Sequence, residues 1–555
     1  MSARLAIHTD QGPQNKAMNS ATSAIAVPVS PASPAAEHGF REGTNPFTIA
    51  GVVGLSAFME VLDISIANVS LRNIAGGLAA GQDESTWILT SYLVANAIVL
   101  PITGWLSAMF GRTSFYMVSI ALFTLSSLMC GLAPSLPLLI FFRIIQGLGG
   151  GALQPVSQAI MSDAFPPEKR TIAFAMYGMA VVAAPAIGPT LGGWITDTYS
   201  WHWIFLLNVP IGLVLLVLVK ALIRDPRAFV EMREKRQREG FRIDYFGFAL
   251  IAIGLGSLQI MLDKGQQDDW LSSDFIAWMA VIAVVSLTVA VIWEWRHKDP
   301  MVNLRLLKSR NFSVGMVLMF ALGFILLSST LLLPLLTQSL LGYTATDAGL
   351  VISPGGAVIV LMMPVVGIIS SKFDPRALII FGLLTLSAAM YYMTTLDLAV
   401  DYKTLAIARM YQSFGLAFMF IPINAMAYVG LPPEQSGNAS ALVNLARNIG
   451  GSVGTSLVTT LLARSAAAHQ VTLGAHVSRL DPHYTQTLKG LAARFGNDAA
   501  GQQQANGLIA EMVGQQASML SYIDVFQMLS IGALLIIPLA FLLKRGTGAP
   551  PPGVH

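Results

Sequence analysis

Five charged side chains stand inside apolar runs of this 555-residue chain: Glu60, Asp63, Arg143, Arg409 and Arg447. An ionised group at the middle of a bilayer costs about 2.5–3.5 kcal/mol on insertion scales, so it needs a partner or a wet cavity. Glu60 and Asp63 are three residues apart and share one face of a helix. Burial favours the neutral acid, and a nearby guanidinium favours the carboxylate. A carboxyl held between these influences can load and release protons as its access alternates. Glu60, Asp63 and Arg143 are therefore the candidate proton-coupling residues, against the alternative of a static ion pair that holds packed helices together.

Uncharged polar residues accompany them. Gln146, Gly147, Gly150, Gln154 and Gln158 fall near the face of Arg143, a small and polar stripe of the kind that borders a cavity. Asn444, Arg447, Asn448 and Gly451 repeat the pattern later. Arg447 is placed either in the cavity, facing a polar or anionic substrate, or as a cap on buried carbonyls. Asn68, Asn96, Gln146, Gln154, Gln158, Asn444 and Arg447 form the expected substrate cavity. Arg409, with no acid near it in sequence, reads as structural.

The elements that position these groups are duplicated. Arg143, Gln146, Gly149, Pro166, Pro167 and Glu168 recur, each displaced by 266 positions, as Arg409, Gln412, Gly415, Pro432, Pro433 and Glu434. Gly188 finds Gly454 at the same offset, while Pro101, Gly104 and Phe110 find Pro364, Gly367 and Phe373 at 263. A parallel duplication of membrane helices with an arginine in each copy is a common plan for a secondary transporter.

Composition agrees with a bilayer as solvent. Charged residues are 11% and mean hydropathy is +0.63, against about 25% charged in soluble proteins. The net charge of +3 gives no reason to expect nucleic acid. Cys130 is the single cysteine, so no internal disulfide is possible. A crossing takes roughly 20 apolar residues, and fourteen stretches qualify, from 47–72 to 522–543.

Basic loops (Arg224 to Arg242, Arg296 to Arg310, Lys169–Arg170, Lys544–Arg545) fall on one side if both termini are cytoplasmic. The expected division is a disordered tail at 1–45, a six-helix bundle at 46–223 and a basic linker with two inserted helices at 224–312. A second bundle at 313–545 and a tail at 546–555 complete it. The bundle at 313–545 includes a long external loop, 464–521, polar, Gln-rich and partly helical in pattern. In the fifth span Ala184, Gly188 and Gly192 recur every four residues beside Pro185, Pro189 and Gly193. This row predicts close helix packing, with a hinge or seal between halves as the sharper reading.

The ordered motifs LDISIANVSL (62–71), GWLSAMFGR (104–112), RIIQGLGGG (143–151), APAIGPTLGGW (184–194), WHWIFLLNVPIG (201–212), LDKGQQDDW (262–270) and ALVNLARNIGGSVGTSL (441–457) resemble the major facilitator superfamily. Within it they resemble the fourteen-span drug:proton antiporters of the EmrB/QacA type. The resemblance covers about Phe47 to Lys544. It implies an all-α membrane protein of two six-helix bundles plus two extra helices, in a bacterial inner membrane. It also implies export of amphipathic or hydrophobic compounds in exchange for protons. Its span-one aspartate falls on Asp63, its span-four arginine on Arg143, and its antiporter glycine–proline motif on Gly188, Pro189, Gly192 and Gly193. Its loop motif keeps Gly104, Gly111 and Arg112, but Ala108 and Met109 replace an acid and a base, which puts a charge latch there in doubt. Such exporters work with a periplasmic adaptor (EmrA-like) and an outer-membrane channel (TolC-like), and loop 464–521 is the candidate docking surface.

Two rival functions follow from the same residues. One is a dedicated uptake or exchange carrier, disfavoured through the family association of the glycine–proline motif. The other is a non-transporting sensor or scaffold, which leaves the intramembrane charges idle. No nucleotide-binding loop, metal cluster or nucleophile constellation is legible, so no catalytic residue, metal or cofactor is expected. The glycines at 147–151 lie inside a span, where they pack helices.

Overall fold

The structure, a computed structural model, describes residues 44–544 apart from 167–168, 226–229, 232, 235–243, 298–299, 371, 432–434, 479–480 and 497. Nearly all of both tails lies outside it, as do the motif residues Pro167, Glu168, Pro432, Pro433 and Glu434, and the bases Arg227, Lys235, Arg236, Arg238, Arg242, Lys298 and Arg545. Among the described residues, the regular elements are all helices.

Among the described residues, thirteen helices are long and apolar enough to cross a bilayer. Twelve come first: α1 (Pro46–Val69), α2 (Asp83–Phe110), α3 (Arg112–Gly131), α4 (Leu136–Ala164), α5 (Arg170–Thr198), α6 (His202–Leu222), α7 (Tyr245–Lys264), α8 (Asp274–Arg296), α9 (Arg310–Ser339), α10 (Thr346–Ser370), α11 (Pro375–Met393) and α12 (Tyr402–Ala427). Next is α13 (Ser436–His476), which stands where the thirteenth span was expected. It is not one of the thirteen, because polar residues such as Ser440, Asn444 and Arg447 are spent on the opposite half of the protein and not on lipid. The thirteenth apolar helix is α14 (Ala499–Phe541).

Helices α1–α6 pack as one bundle and α9–α14 as another. Helix α7 lies against α2 and α13, and α8 packs on α7. The repeat is visible as repeated contacts. A Cβ on Gly149 would lie 2.8 Å from the Phe123 nitrogen and 2.9 Å from the Ser119 oxygen. A Cβ on Gly415 would lie 2.8 Å from the Leu386 nitrogen and 3.0 Å from the Gly382 oxygen. Phe123 and Leu386 are 263 positions apart, as are Ser119 and Gly382. Gly188 likewise abuts the Ser65 hydroxyl and Gly454 the Ser328 hydroxyl.

The bundles meet along α5 with α10 and α2 with α13, two pairs that the duplication exchanges. At these crossings glycine lets backbones touch. A Cβ on Gly349 would reach the Thr190 nitrogen at 2.7 Å, and one on Gly104 the Asn438 nitrogen at 2.8 Å. Near the axis of this symmetry Gln158 donates to Asn424, its own counterpart at 266. At the end of the molecule that carries Arg112 and Arg170, further contacts close the halves on each other: Arg112 of α3 reaches Ser436 of α13 at 3.2 Å, and Phe174 of α5 packs on Tyr428 at the end of α12 with ring centroids 5.3 Å apart. At the other end α7 intervenes between α2 and α13, where Trp270 donates to Thr460 at 3.1 Å and Ser452 to Gln259 at 3.0 Å.

Helices α13 and α14 have 41 and 43 residues. At 1.5 Å per residue each is roughly 60 Å long, twice the hydrocarbon thickness of about 30 Å. The stretch 464–521 is therefore mostly two helical extensions, with a short helix (Pro482–Arg494) between them. Its Ala and Gln favour helix in water as well as in lipid. The interruptions fall where Asp481 and Asp498 cap new helices by accepting from the His483 and Gly501 nitrogens, at 2.8 and 2.7 Å.

Gly149→Val and Gly415→Val are expected to destabilise the protein equally, by about 1–3 kcal/mol as overpacked positions, while Gly514→Ala, within α14 and with its added Cβ in open space, stabilises it by up to about 1 kcal/mol. Thermal unfolding of the purified variants checks this. Unequal loss at the two glycines would separate the two copies.

Candidate functional site

Asp63 sits in the second half of α1 and Arg143 in the first part of α4, facing each other inside the first bundle. Arg143 Nη1 donates to Asp63 Oδ2 at 2.6 Å. Asp63 Oδ1 accepts from Gln146 Nε2 at 2.9 Å and from Asn208 Nδ2, on α6, at 2.7 Å. Arg143 Nε donates to the Ile88 carbonyl at 3.1 Å and Nη1 also to Gln146 Oε1 at 2.7 Å. Ser127, on α3, accepts from Gln146 at 2.6 Å. The guanidinium lies 4.2 Å from the centroid of the Tyr92 ring, a favourable cation–π distance. Asp63 is 2% exposed and Arg143 fully buried. This is a neutralised pair with its carboxylate fully bonded, the arrangement a buried ion pair needs.

Glu60 lies one turn nearer the start of α1, and its donors are neutral. Oε1 accepts from the Tyr92 hydroxyl at 3.3 Å and from Asn96 Nδ2 at 3.1 Å, and Oε2 from Gln154. The carbonyl oxygen of Gln154 in turn accepts from Arg447, on α13 of the other bundle. One amide therefore joins a buried carboxyl in the first half to a guanidinium in the second. Tyr92 couples the two acids, with its hydroxyl on Glu60 and its ring under Arg143. A parallel link lies one turn further along α4, where Gln158 Oε1 accepts from Asn444 Nδ2 at 2.6 Å and from Ser440 Oγ at 3.2 Å.

The residues expected around a cavity thus divide. Gln154, Gln158, Asn444 and Arg447 form a contact between halves, while Asn96 bonds Glu60 within the first bundle. Gln146 belongs to the ion pair. Asn68 is exposed in the last turn of α1, and no hydrogen bond ties it to the others. Arg447 meets a side-chain amide, Gln154, and not the carbonyl cluster considered from sequence.

In α5 the row of small residues faces its own bundle: Gly188 packs on Ser65, and a Cβ on Gly192 would lie 3.0 Å from Ile66 Cγ2. Pro185 and Pro189 sit inside a continuous helix, with Ala184 and Gly193 buried beside them. Another face of α5 meets the second bundle, where Ala175, Ala186 and Thr190 lie against Gly367, Gly356 and Gly349 of α10.

At the closed end, Gly111 starts α3 with φ +88°, a left-handed conformation that suits glycine. Arg112 forms an ion pair with Asp163 at the end of α4. A charged contact thus exists despite Ala108 and Met109, through an acid that the loop motif does not contain. Asp163, Asn208, Ser127 and Tyr92 were not singled out from the sequence. Asn208 had a signal, as a lone amide in the apolar run WIFLLNVPIG, but its partner is 145 residues away.

A family model described as Major Facilitator Superfamily matches residues 53–455. The chain is 38% identical to the multidrug export protein EmrB of Escherichia coli (strain K12), over 92% of this chain and 97% of that protein. It is 36% identical to the fatty acid resistance protein FarB of Neisseria gonorrhoeae, over 89% and 95%. A solved structure of the MFS proton:xylose symporter XylE superposes with a TM-score of 0.56 at 15% identity, covering 90% of this chain and 99% of that one, a likeness of fold.

Arg143→Met leaves the Asp63 carboxylate buried without its cation, and is expected to cost about 3–5 kcal/mol. Adding Asp63→Asn removes the stranded charge and recovers at least half of that loss. Unfolding midpoints of the single and double variants test the pair, and a double variant no more stable than Arg143→Met refutes it.

Proposed function

Because the chain belongs to the Major Facilitator Superfamily, and is a multi-pass membrane transporter and not an enzyme, we propose that it exports hydrophobic and amphipathic drugs in exchange for protons. The observation that carries this reading is the buried Glu60–Gln154–Arg447 chain, which ties an ionisable carboxyl to the contact between the halves. Ionised Glu60 only accepts hydrogen bonds, so Gln154 turns its NH2 to Glu60 and its oxygen to Arg447, which only donates. Protonated Glu60 becomes a donor. Its other oxygen still accepts from Gln154, but without the negative charge that bond, and through it the link to Arg447, is weaker. Protonation loosens the contact between bundles, and their rocking exchanges access. Asp63, already neutralised by Arg143, holds α1 and α4 in register and reports on Glu60 through Tyr92. Substrate enters between the halves beside Asn96, Gln158 and Asn444.

The end with Arg112 and both described chain ends faces the cytoplasm of a bacterial inner membrane, by the distribution of Lys and Arg. The extensions of α13 and α14 then stand in the periplasm, where they meet an EmrA-like adaptor and, through it, a TolC-like channel. The relatives' names support the substrate class, and the duplicated bundles and buried carboxyls support the proton mechanism.

Purified protein in detergent is expected to release protons when an amphipathic substrate is added. Glu60→Gln should still bind, by calorimetry, but release none, and Asp63→Asn should release less than wild type. Release from Glu60→Gln equal to wild type removes Glu60 from the mechanism. Replacing residues 471–516 by a short turn, which spares His469 and its 2.7 Å bond to Asp524, should abolish export across a double envelope while binding survives. Undiminished export by that variant excludes the extensions as the docking surface.

A further inference from the structure

The two halves treat the same arginine differently. In the first, Arg143 and Gln146 share the carboxylate of Asp63, and Gln146 also donates to Ser127. At the positions 263 further on stand Leu326 and Met390. Arg409 and Gln412 keep their mutual bond, Nη1 to Oε1, at the same 2.7 Å. Among the described residues no carboxylate accompanies them, and the remaining partner of Arg409 is the Thr330 hydroxyl at 3.3 Å. Arg409 is 2% exposed, Gln412 and Ser413 0%. Arg409 Nε, Gln412 Nε2 and Ser413 Oγ have no hydrogen-bond partner. Tyr92, whose ring covers Arg143, is replaced at its 263 position by Gly355, which lies against Arg409 and Ser413. The guanidinium therefore has neither the counter-charge nor the aromatic face that its twin enjoys.

We propose that Arg409, Gln412 and Ser413 form a binding site for a small monovalent anion, a halide or a carboxylate, which does in the second half what the Asp63 side chain does in the first. Three orphaned groups, two of them obligate donors, converge on one short stretch of α12. A guanidinium excludes a cation, and water satisfies the donors without neutralising the charge. An anion does both, and removes the cost of an isolated charge in hydrocarbon. Thr330, half-buried, marks the edge from which the ion reaches the site. The site is independent of export and of Glu60.

The test is thermal unfolding of the full-length protein in lipid nanodiscs, in sodium gluconate, chloride or formate at equal ionic strength. Gluconate is the bulky reference. Wild type should unfold roughly 3 °C or more higher in chloride or formate, by linkage to binding. A response to chloride alone identifies a halide site, and a response to formate alone a carboxylate site. Arg409→Gln keeps a donor, loses the charge and should lose the response. Leu326→Asp supplies the missing carboxylate, and should match or exceed the anion-saturated wild type in all three salts. Equal wild-type midpoints in the three salts, or a response that persists in Arg409→Gln, overturns the site.

Discussion

A guanidinium buried in hydrocarbon must take its partners from the protein, because no water competes for it. Arg143 draws partners from several helices, Asp63 from α1, the Ile88 carbonyl from α2 and Gln146 from its own helix, and only its Nη2 is left without a hydrogen bond. Asp63 and Gln146 in turn engage Asn208 of α6 and Ser127 of α3. Five of the six helices of the first bundle are thereby fixed around one charge, with no metal, cofactor or disulfide required. The apolar packing around them is weakly specific in a bilayer, where lipid tails are as apolar as leucine. Polar bonds and close backbone approach must supply the specificity, and here both are present.

Close approach is the second constraint. Glycine on α5 seats that helix on α1 within one bundle, and glycine on α10 seats the second bundle on α5. A helix with small residues on two faces can hold one contact while it slides at the other. The arrangement gives α5 one face on its own bundle and another on the second, and its two internal prolines leave it continuous.

Much of this was legible in the sequence, for a physical reason. Charged residues in apolar runs are too costly to be accidental, so Asp63 and Arg143 identified each other across 80 positions. The duplication was legible because glycine at a helix crossing has few substitutes, and Gly149 and Gly415 do make the same contact. Partners that are merely polar carry no such signal. Asn208 and Ser127 complete the ion pair, yet asparagine and serine in a span also pack or bond to their own backbone. Asp163 was hidden because a helix end tolerates an acid whether or not an arginine faces it. The extended α13 and α14 were read as spans plus a loop, because apolar length marks the bilayer and says nothing of where a helix stops once it is in water.

The asymmetry of the halves has a mechanical meaning. Arg143 is neutralised by an acid of its own bundle, whereas the described hydrogen-bond partners of Arg409 are the neutral Gln412 and Thr330. In this chain the surplus charge lies in the second half, on Arg409 and Arg447, and the surplus acid, Glu60, lies in the first. Arg447 has no acid in its own bundle among its described hydrogen-bond partners, and finds Gln154 on the opposite one. Under the proposed mechanism, the attraction across the bundles is the one that an added proton on Glu60 diminishes. Gln154 relays it through a single amide whose NH2 serves Glu60 and whose oxygen serves Arg447, so the strength of the link follows the charge on the acid.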